Sequence, residues 1–363
     1  MDKRIVFLTR RKEDLSSPYY LRITKLSELF KNAFNKEPEI INFYKEGNKI
    51  QQIRNVNKMV KSFAKQNPND IGIIVICSLD PKSIKCVRKY CLKNNIKLFI
   101  DIVELASPQE KKLGCLSPSL IMNHKIVKKS VTKGCTAIVI SHYFEQFYKN
   151  KGIETVYIPN LYSKEIFLSP TSNKTTFGFI GYPRKKDALD LILKALIELY
   201  KQTGDSFEFK VVGISEDELF HKWKEFEKDK DIIKKFTKFY GYTKDRDEIR
   251  NIYNSLDYSI IMRNPDLLVT KSGFPTKFVE SLSYGRPVIA NDTSDIFCYL
   301  TDGYNGYTVK SFSCKSLLET LLRVISEKDN KKDIYRNAYE SAIKYFDINN
   351  FKESLRNAYE RKN

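Results

Sequence analysis

Two stretches in the second half of the chain gather the residue types that handle a phosphate. The first is Gly181-Tyr182-Pro183-Arg184-Lys185-Lys186-Asp187, which follows a short apolar run and precedes the helical pattern ALDLILKALIELY. Glycine lets a ligand approach the backbone closely. Three consecutive cations at a helix start oppose the helix dipole and are unfavourable there unless an anion is bound. A diphosphate would satisfy both the open N–H groups and the Arg/Lys heads. A solvated basic turn is the alternative.

The second stretch runs from Asn264 to Gly285 and contains SGFPTK at 272–277. It looks like a loop entering a helix, with Pro275 near the first helical position and Thr276 in the first turn. The free N–H groups there suit a phosphate, and Lys277 adds a charge. Glu280 falls one turn later, where its carboxylate can accept from vicinal hydroxyls such as those of a ribose. One ligand carrying a diphosphate and a ribose would engage all of these groups. A plain Lys277–Glu280 surface pair is the alternative.

The elements that must position these residues repeat in a regular order. RIVFLT (4–9), IGIIVIC (71–77), KLFIDIV (97–103) and TAIVIS (136–141) alternate with amphipathic stretches such as YYLRITKLSELFKNAF (19–34). Continuous Ile/Val runs are what a parallel strand covered on both faces needs. The pattern pauses over 156–176, which reads as a linker. It restarts with TFGFIG (176–181), FEFKVVG (207–213), KFTKFYG (235–241), YSIIMR (258–263) and RPVIAN (286–291). The expectation is α/β: two Rossmann-like doubly wound parallel-sheet domains, over 1–165 and 173–345, with a closing helix within 346–363 that begins near Asn349. In such folds ligands bind at the carboxyl ends of the strands.

At 363 residues the chain suits two domains, and its 42% hydrophobic and 29% charged content is that of a globular protein. No apolar run approaches the ~20 residues that cross a bilayer, and MDKRIVFLTRRKEDL lacks the apolar region of a signal peptide. The seven cysteines form no C-x-x-C, so reduced and mostly buried thiols are expected. The three histidines have no Cys pair at ligand spacing, which argues against zinc. The net charge of +19 is lopsided: residues 1–170 hold 30 Lys+Arg against 15 Asp+Glu, and residues 171–363 hold 33 against 29. Two stretches, 81–97 and 111–133, each carry six cations and no acid. Mixed with Leu, Ile, Met and Val, they suit an anionic bilayer surface; solvated helix faces are the alternative.

From about 174 to 310 the chain resembles the nucleotide-sugar-binding domain of GT-B glycosyltransferases of the retaining family 4 group. The resemblance rests on FGFIGYPRKKDALDLILKAL, FKVVG, FYGYTKDRDEIRNIYNSLDYSIIMR, GFPTKFVESLSYGRPVIAND and DGYNGYTV. LFIDIVELAS and TAIVISHYFEQFYKNKGIETVYIPN resemble the end of that group's first domain, and the last helix resembles the segment that crosses back onto it. The resemblance implies two domains with a cleft between them and transfer of a sugar from a UDP- or GDP-sugar. It implies no metal and no further cofactor. Arg184 with Lys185 or Lys186 would hold the diphosphate and stabilise the leaving group. The backbone of Gly273, Phe274, Pro275 and Thr276 would contact the donor, with Lys277 beside it, and Glu280 would hold the ribose. Tyr240 and Tyr242 would lie beside the base, and Gly181 and Gly213 near the nucleotide. The usual signature has two glutamates eight positions apart; Glu280 matches the second, while Ser272 stands at the first, as in a P-x-K-x-x-E subgroup. Asp101, Glu104 and His142 follow strands of the first domain and could face the acceptor, a glycan or lipid-linked glycan; capping or surface roles are the alternative.

Two competing readings are a non-catalytic sugar-nucleotide-binding subunit, suggested by Ser272, and a nucleic-acid binder using the basic half. No nucleic-acid module is recognisable, so no nucleic-acid partner is expected. An epimerase on the same fold lacks an evident carboxylate pair. The expected location is cytoplasmic, peripheral on the inner face of the membrane.

Overall fold

A computed structural model describes residues 3–14, 17–46, 49–65, 68–162, 164–165, 167, 174–327 and 331–361. Part of the linker expected over 156–176 lies outside the described residues. The chain divides into two compact units: Met1–Leu161 with Ser272–Phe274 and Ile348–Asn363, and Tyr162–Lys271 with Pro275–Asp347.

The first unit contains β1 (Arg4–Thr9), α1 (Pro18–Phe34), β2 (Glu39–Asn42), α2 (Lys49–Phe63), β3 (Ile71–Cys77), α3 (Pro81–Lys93), β4 (Lys97–Ile102), α4 (Pro118–Lys125), β5 (Thr136–Val139), α5 (His142–Lys149) and β6 (Glu154–Tyr157). All strand pairs are parallel, in the order β2-β1-β3-β4-β5-β6. Every residue of β3 is buried, which is why its sequence is an unbroken Ile/Val run rather than an alternation. Helix α1 turns Ile23, Leu26 and Phe30 onto the sheet, and the Phe30 ring meets Phe7 and Phe99 edge-on at 5.2 and 5.4 Å. Each such fully buried side chain contributes about 1.5–3 kcal/mol of transfer free energy.

The second unit contains β7 (Thr175–Ile180), α6 (Leu189–Thr203), β8 (Phe207–Val212), α7 (Glu216–Lys222), α8 (Lys230–Phe236), β9 (Thr237–Phe239), α9 (Arg246–Asn254), β10 (Tyr258–Ile261), α10 (Leu268–Ser272), α11 (Thr276–Ser283), β11 (Val288–Asn291), α12 (Ile296–Tyr299), β12 (Gly306–Val309), α13 (Cys314–Ser326) and α14 (Lys331–Phe346). Its sheet is again all parallel, ordered β12-β11-β10-β7-β8-β9. Chain order reverses between β7 and β10, so their carboxyl ends flank the crevice where doubly wound sheets take ligands.

The closing helix expected from near Asn349 starts three residues later, at Lys352. A 3-10 turn at Ile348–Phe351 follows α14, and α15 (Lys352–Glu360) packs Leu355 and Ala358 into the first unit's core. Arg356 donates to the Ala33 carbonyl there at 2.5 Å. All seven thiols are free, but their burial departs from expectation: Cys77, Cys91 and Cys135 are buried, whereas Cys115 and Cys298 are exposed and Cys86 and Cys314 partly so. Among the described residues no helix is long and apolar enough to cross a membrane.

Candidate functional site

The carboxyl ends of β7, β8 and β9 are joined by bare backbone. Gly181 N–H donates to the Val212 carbonyl at 3.1 Å, and Gly213 N–H donates to the Gly241 carbonyl at 2.6 Å. All three glycines have positive φ, +116°, +101° and +64°. A Cβ on Gly213 would lie 2.5 Å from the Gly181 carbonyl carbon, so this close approach requires glycine.

Beyond Gly181 the chain does not enter its helix at the three cations. Asp187 bridges to Arg263, Ala188 N–H donates to the Met262 carbonyl and Asn264 N–H to the Lys186 carbonyl. These bonds to the segment leaving β10 hold residues 186–188 off the helical path, so α6 starts at Leu189 with Ala188 as N-cap. The expected opposition of a helix dipole by Arg184, Lys185 and Lys186 is therefore relieved: they occupy the preceding turn. Arg184 and Lys185 are exposed, and Lys186 is half-buried. Lys222, at the end of α7, brings a fourth cation to this turn, donating to the Pro183 carbonyl at 2.6 Å. Its ammonium also sits over the Trp223 ring at 4.4 Å, and burial lowers its pKa despite Asp190 and Asp187.

Helix α11 supplies the facing groups. Pro275 is its N-cap and Thr276 its first residue, one position later than expected; Phe278 N–H donates to the Pro275 carbonyl at 3.2 Å, and the N–H groups of Thr276 and Lys277 have no acceptor within the helix. Lys277 reaches out of the first turn to Asp187, Nζ to Oδ1 2.8 Å, with the Phe179 ring 4.4 Å from the ammonium. Burial alone would push the Asp187 carboxyl up, but Lys277 and Arg263 outweigh it and hold its pKa below the ordinary value. Thus Lys277 pairs with Asp187 across the crevice rather than with Glu280 along its own helix. Glu280 is half-buried, and burial raises its pKa while Lys277 and the Tyr253 hydroxyl, 3.5 Å away, lower it. Tyr253 is itself fixed by stacking on Tyr284 at 4.6 Å.

The remaining candidates are placed differently. Tyr240 is half-buried and lines an open cavity of about 550 Å³ with Lys210, Asp245, Asp247 and Glu248. The three acids make that cavity unfavourable for a diphosphate. Tyr242 is 68% exposed. Ser272, Gly273 and Phe274 group with the first unit. There Ser272 is fully buried; its hydroxyl accepts from Leu105 N–H at 2.9 Å and its carbonyl accepts from the Ser141 hydroxyl at 2.6 Å. Asn160 donates to the Phe274 carbonyl at 3.0 Å. Asp101 is held by Arg22 through a buried bidentate pair, 2.9–3.1 Å, and Arg22 also donates to the Ile158 and Pro159 carbonyls. Asp101 thus lies within β4 rather than after it, with its carboxylate held inside the first unit. Glu104 accepts from the Tyr19 hydroxyl at 2.5 Å, and exposed His142 stacks on Tyr157 at 4.4 Å.

Asp187 and Lys222 are the members that sequence reasoning missed. Asp187 stood in the quoted string without a role, and no local pattern marks Lys222 as a neighbour of Pro183.

Residues 164–341 match the family described as glycosyl transferases group 1. An uncharacterized glycosyltransferase of Methanocaldococcus jannaschii, MJ1178, is 23% identical over 63% of this chain, which spans only 62% of that relative's length. The fold is similar to that of sucrose-phosphate synthase from Thermosynechococcus elongatus (TM-score 0.72, 13% identity, 98% of both chains). It is also similar to that of Anabaena Alr3699/HepE in complex with UDP and glucose (TM-score 0.67, 15% identity, 99% of this chain and 100% of that one). Over residues 164–341, then, the chain is similar to glycosyl transferases group 1, and its two all-parallel sheets share the fold of these solved structures.

Proposed function

We propose that this chain is a retaining glycosyltransferase that moves a hexosyl or N-acetylhexosaminyl group from a UDP- or GDP-sugar to a glycan or lipid-linked glycan in cell-surface polysaccharide synthesis. The observation that carries this reading is the meeting of the turn after β7 with the first turn of α11 through Asp187 and Lys277. It sets a cation, open helix N–H groups and a basic turn at the switch point of one sheet. HepE, similar in fold, was crystallised with UDP and glucose, which fits a nucleotide-diphosphate donor.

In this reading Arg184, Lys185 or Lys186, and Lys277 take up the charge that grows on the diphosphate as the bond from the sugar C1 breaks. The acceptor hydroxyl oxygen bonds to C1 on the face that the diphosphate leaves and its proton passes to the departing diphosphate oxygen, so catalysis rests on leaving-group stabilisation and positioning rather than on a protein nucleophile. Glu280 takes the ribose hydroxyls, and Gly181 and Gly213 admit the nucleotide close to the backbone. The protein works at the cytoplasmic face, bound peripherally to anionic membrane through its basic first unit.

Release of UDP or GDP from a panel of nucleotide sugars tests the reading. Turnover lost in Lys277→Ala and in Glu280→Ala supports it, and full turnover in both variants overturns the site. Ser272, in place of a glutamate, favours a second reading, a non-catalytic binder; tight UDP or GDP binding with neither hydrolysis nor transfer would select it.

A further inference from the structure

Within the first unit, residues 108–130 hold an apolar edge out of the protein. Leu113, Leu116 and Ile121 are 64%, 80% and 55% exposed, and Pro118 is exposed between them. Single exposed aliphatics are ordinary, but a run of them within nine residues marks a contact surface. The segment is not loose chain waiting to fold back. Gly114 N–H donates to the Lys111 carbonyl, Leu116 N–H to Leu113 and Ile121 N–H to Ser117, at 3.0–3.1 Å. On its inner side α4 is anchored by buried Leu120 and by Asn123 and His124, which bond the Ala106 amide and carbonyl at 2.8 Å. The leucines are therefore held outward by a pinned backbone.

From Lys111 to Lys133 the charge is of one sign. Lys112, Lys125, Lys128, Lys129 and Lys133 are exposed, and no acid occurs from 111 to 133. Lys151 adds to them by donating to the Lys128 carbonyl at 2.9 Å, and burial together with the Lys128 charge lowers its pKa. Helix α3, which packs against the turn after α4, carries further exposed cations in Lys85, Lys89 and Lys93. Aliphatic tips ahead of a lysine collar match a bilayer of anionic phospholipid, whose acyl boundary lies just beneath its phosphates. A single-stranded nucleic acid would instead call for aromatic platforms, and the exposed large side chains here are Leu and Ile.

We propose that this edge inserts into an anionic bilayer, with Leu113, Leu116 and Ile121 entering the acyl boundary and the lysines of α4 and the following turn contacting the headgroup phosphates. It deepens, and rests on, the reading of the chain as a membrane-peripheral glycosyltransferase. The test is co-sedimentation of the full chain with phosphatidylcholine vesicles, with and without phosphatidylglycerol, alongside UDP- and GDP-sugar hydrolysis. Wild type is expected to bind only the anionic vesicles. Leu116→Ser, at a site too exposed to matter for folding, weakens binding several-fold. The triple variant Leu113→Ser/Leu116→Ser/Ile121→Ser weakens it about tenfold or more, and Lys125→Glu/Lys128→Glu/Lys129→Glu abolishes the preference for anionic lipid. Unchanged binding in the triple serine variant, equal binding to neutral vesicles, binding to duplex DNA in preference to vesicles, or a wild-type dimer that the serine variant dissociates would each overturn the proposal. The variants keep wild-type hydrolysis rates; vesicle binding in a chain with no hydrolysis would overturn the glycosyltransferase reading and leave this surface standing.

Discussion

Lys277 Nζ lies 2.8 Å from Asp187 Oδ1, joining the first turn of α11 to the turn after β7 across the switch point of the second sheet. The Lys277 side chain is 18% exposed and that of Asp187 5%, so water screens the pair only partly. A donor diphosphate at the helix N-terminus would meet an ammonium that is already aimed. Lys277→Ala is expected to lower sugar-nucleotide turnover by roughly 100- to 1,000-fold, the range for loss of one preorganised group at a developing charge. Steady-state release of nucleoside diphosphate measures it, and a loss of less than threefold would remove Lys277 from the site.

The same pair makes a stability prediction with a definite sign. The folded Asp187 carboxyl titrates below its ordinary value of 3.8, because Lys277 and Arg263 outweigh the opposing effect of burial. Its contribution is then fully present above the unfolded pKa and is lost as pH falls through the folded one. Asp187→Ala should cost about 1–3 kcal/mol at pH 7, with the gap to wild type closing below about pH 4. Denaturant melts at pH 7 and pH 3 decide it; a gap that stays constant contradicts the assignment.

Glu280 carries the opposite sign. Burial raises its pKa, with Lys277 and Tyr253 offsetting only part of the effect, so the folded chain binds this proton more tightly than the unfolded chain does. Stability contributed by the protonated form is lost as pH rises past the ordinary carboxyl value. Glu280→Gln is therefore expected to raise Tm at neutral pH while raising the KM for the sugar nucleotide. A group that costs stability and supports binding is the pattern of a functional residue. A lower Tm with unchanged KM would instead make Glu280 a structural residue.

Much of this arrangement is legible in the sequence, and the gaps have physical causes. Strands β1 and β3 stand out because they are buried on both faces and read as apolar runs. Strands β2, β6 and β12 pass unnoticed: each is a four-residue sheet edge, too short to show a period. At β9 the pattern runs on too far, since Lys235 and Phe236 finish α8 before the strand begins. The two phosphate-handling strings declare themselves through glycine and clustered cations. Their junction does not, because Asp187 meets Lys277 from 90 positions away and Lys222 meets Pro183 from 39. Only the parallel topology brings those positions together.

The exposed cations should separate chemistry from folding. Arg184 lies in the turn before α6 with its side chain in solvent, where substitutions usually change stability by no more than about 0.5 kcal/mol. Arg184→Ala should therefore leave Tm within a degree or two while turnover falls by roughly 100-fold. A matched drop in both would place Arg184 in the fold rather than the chemistry.

Gly213 and Gly181 provide a contrast between backbone strain alone and strain with collision. Both have positive φ, which costs a residue with a Cβ about 1–2 kcal/mol. An added Cβ on Gly181 meets nothing within 4 Å, whereas on Gly213 it comes within 2.5–2.7 Å of the Gly181 and Tyr182 backbone. Gly181→Ala should thus be mildly destabilising. Gly213→Ala must also push β7 away from β8, at a further cost of about 1–3 kcal/mol. Paired denaturation curves give the comparison. Equal losses would mean that the two strand ends can part freely, and that the bare-backbone junction between them is not needed to shape the site.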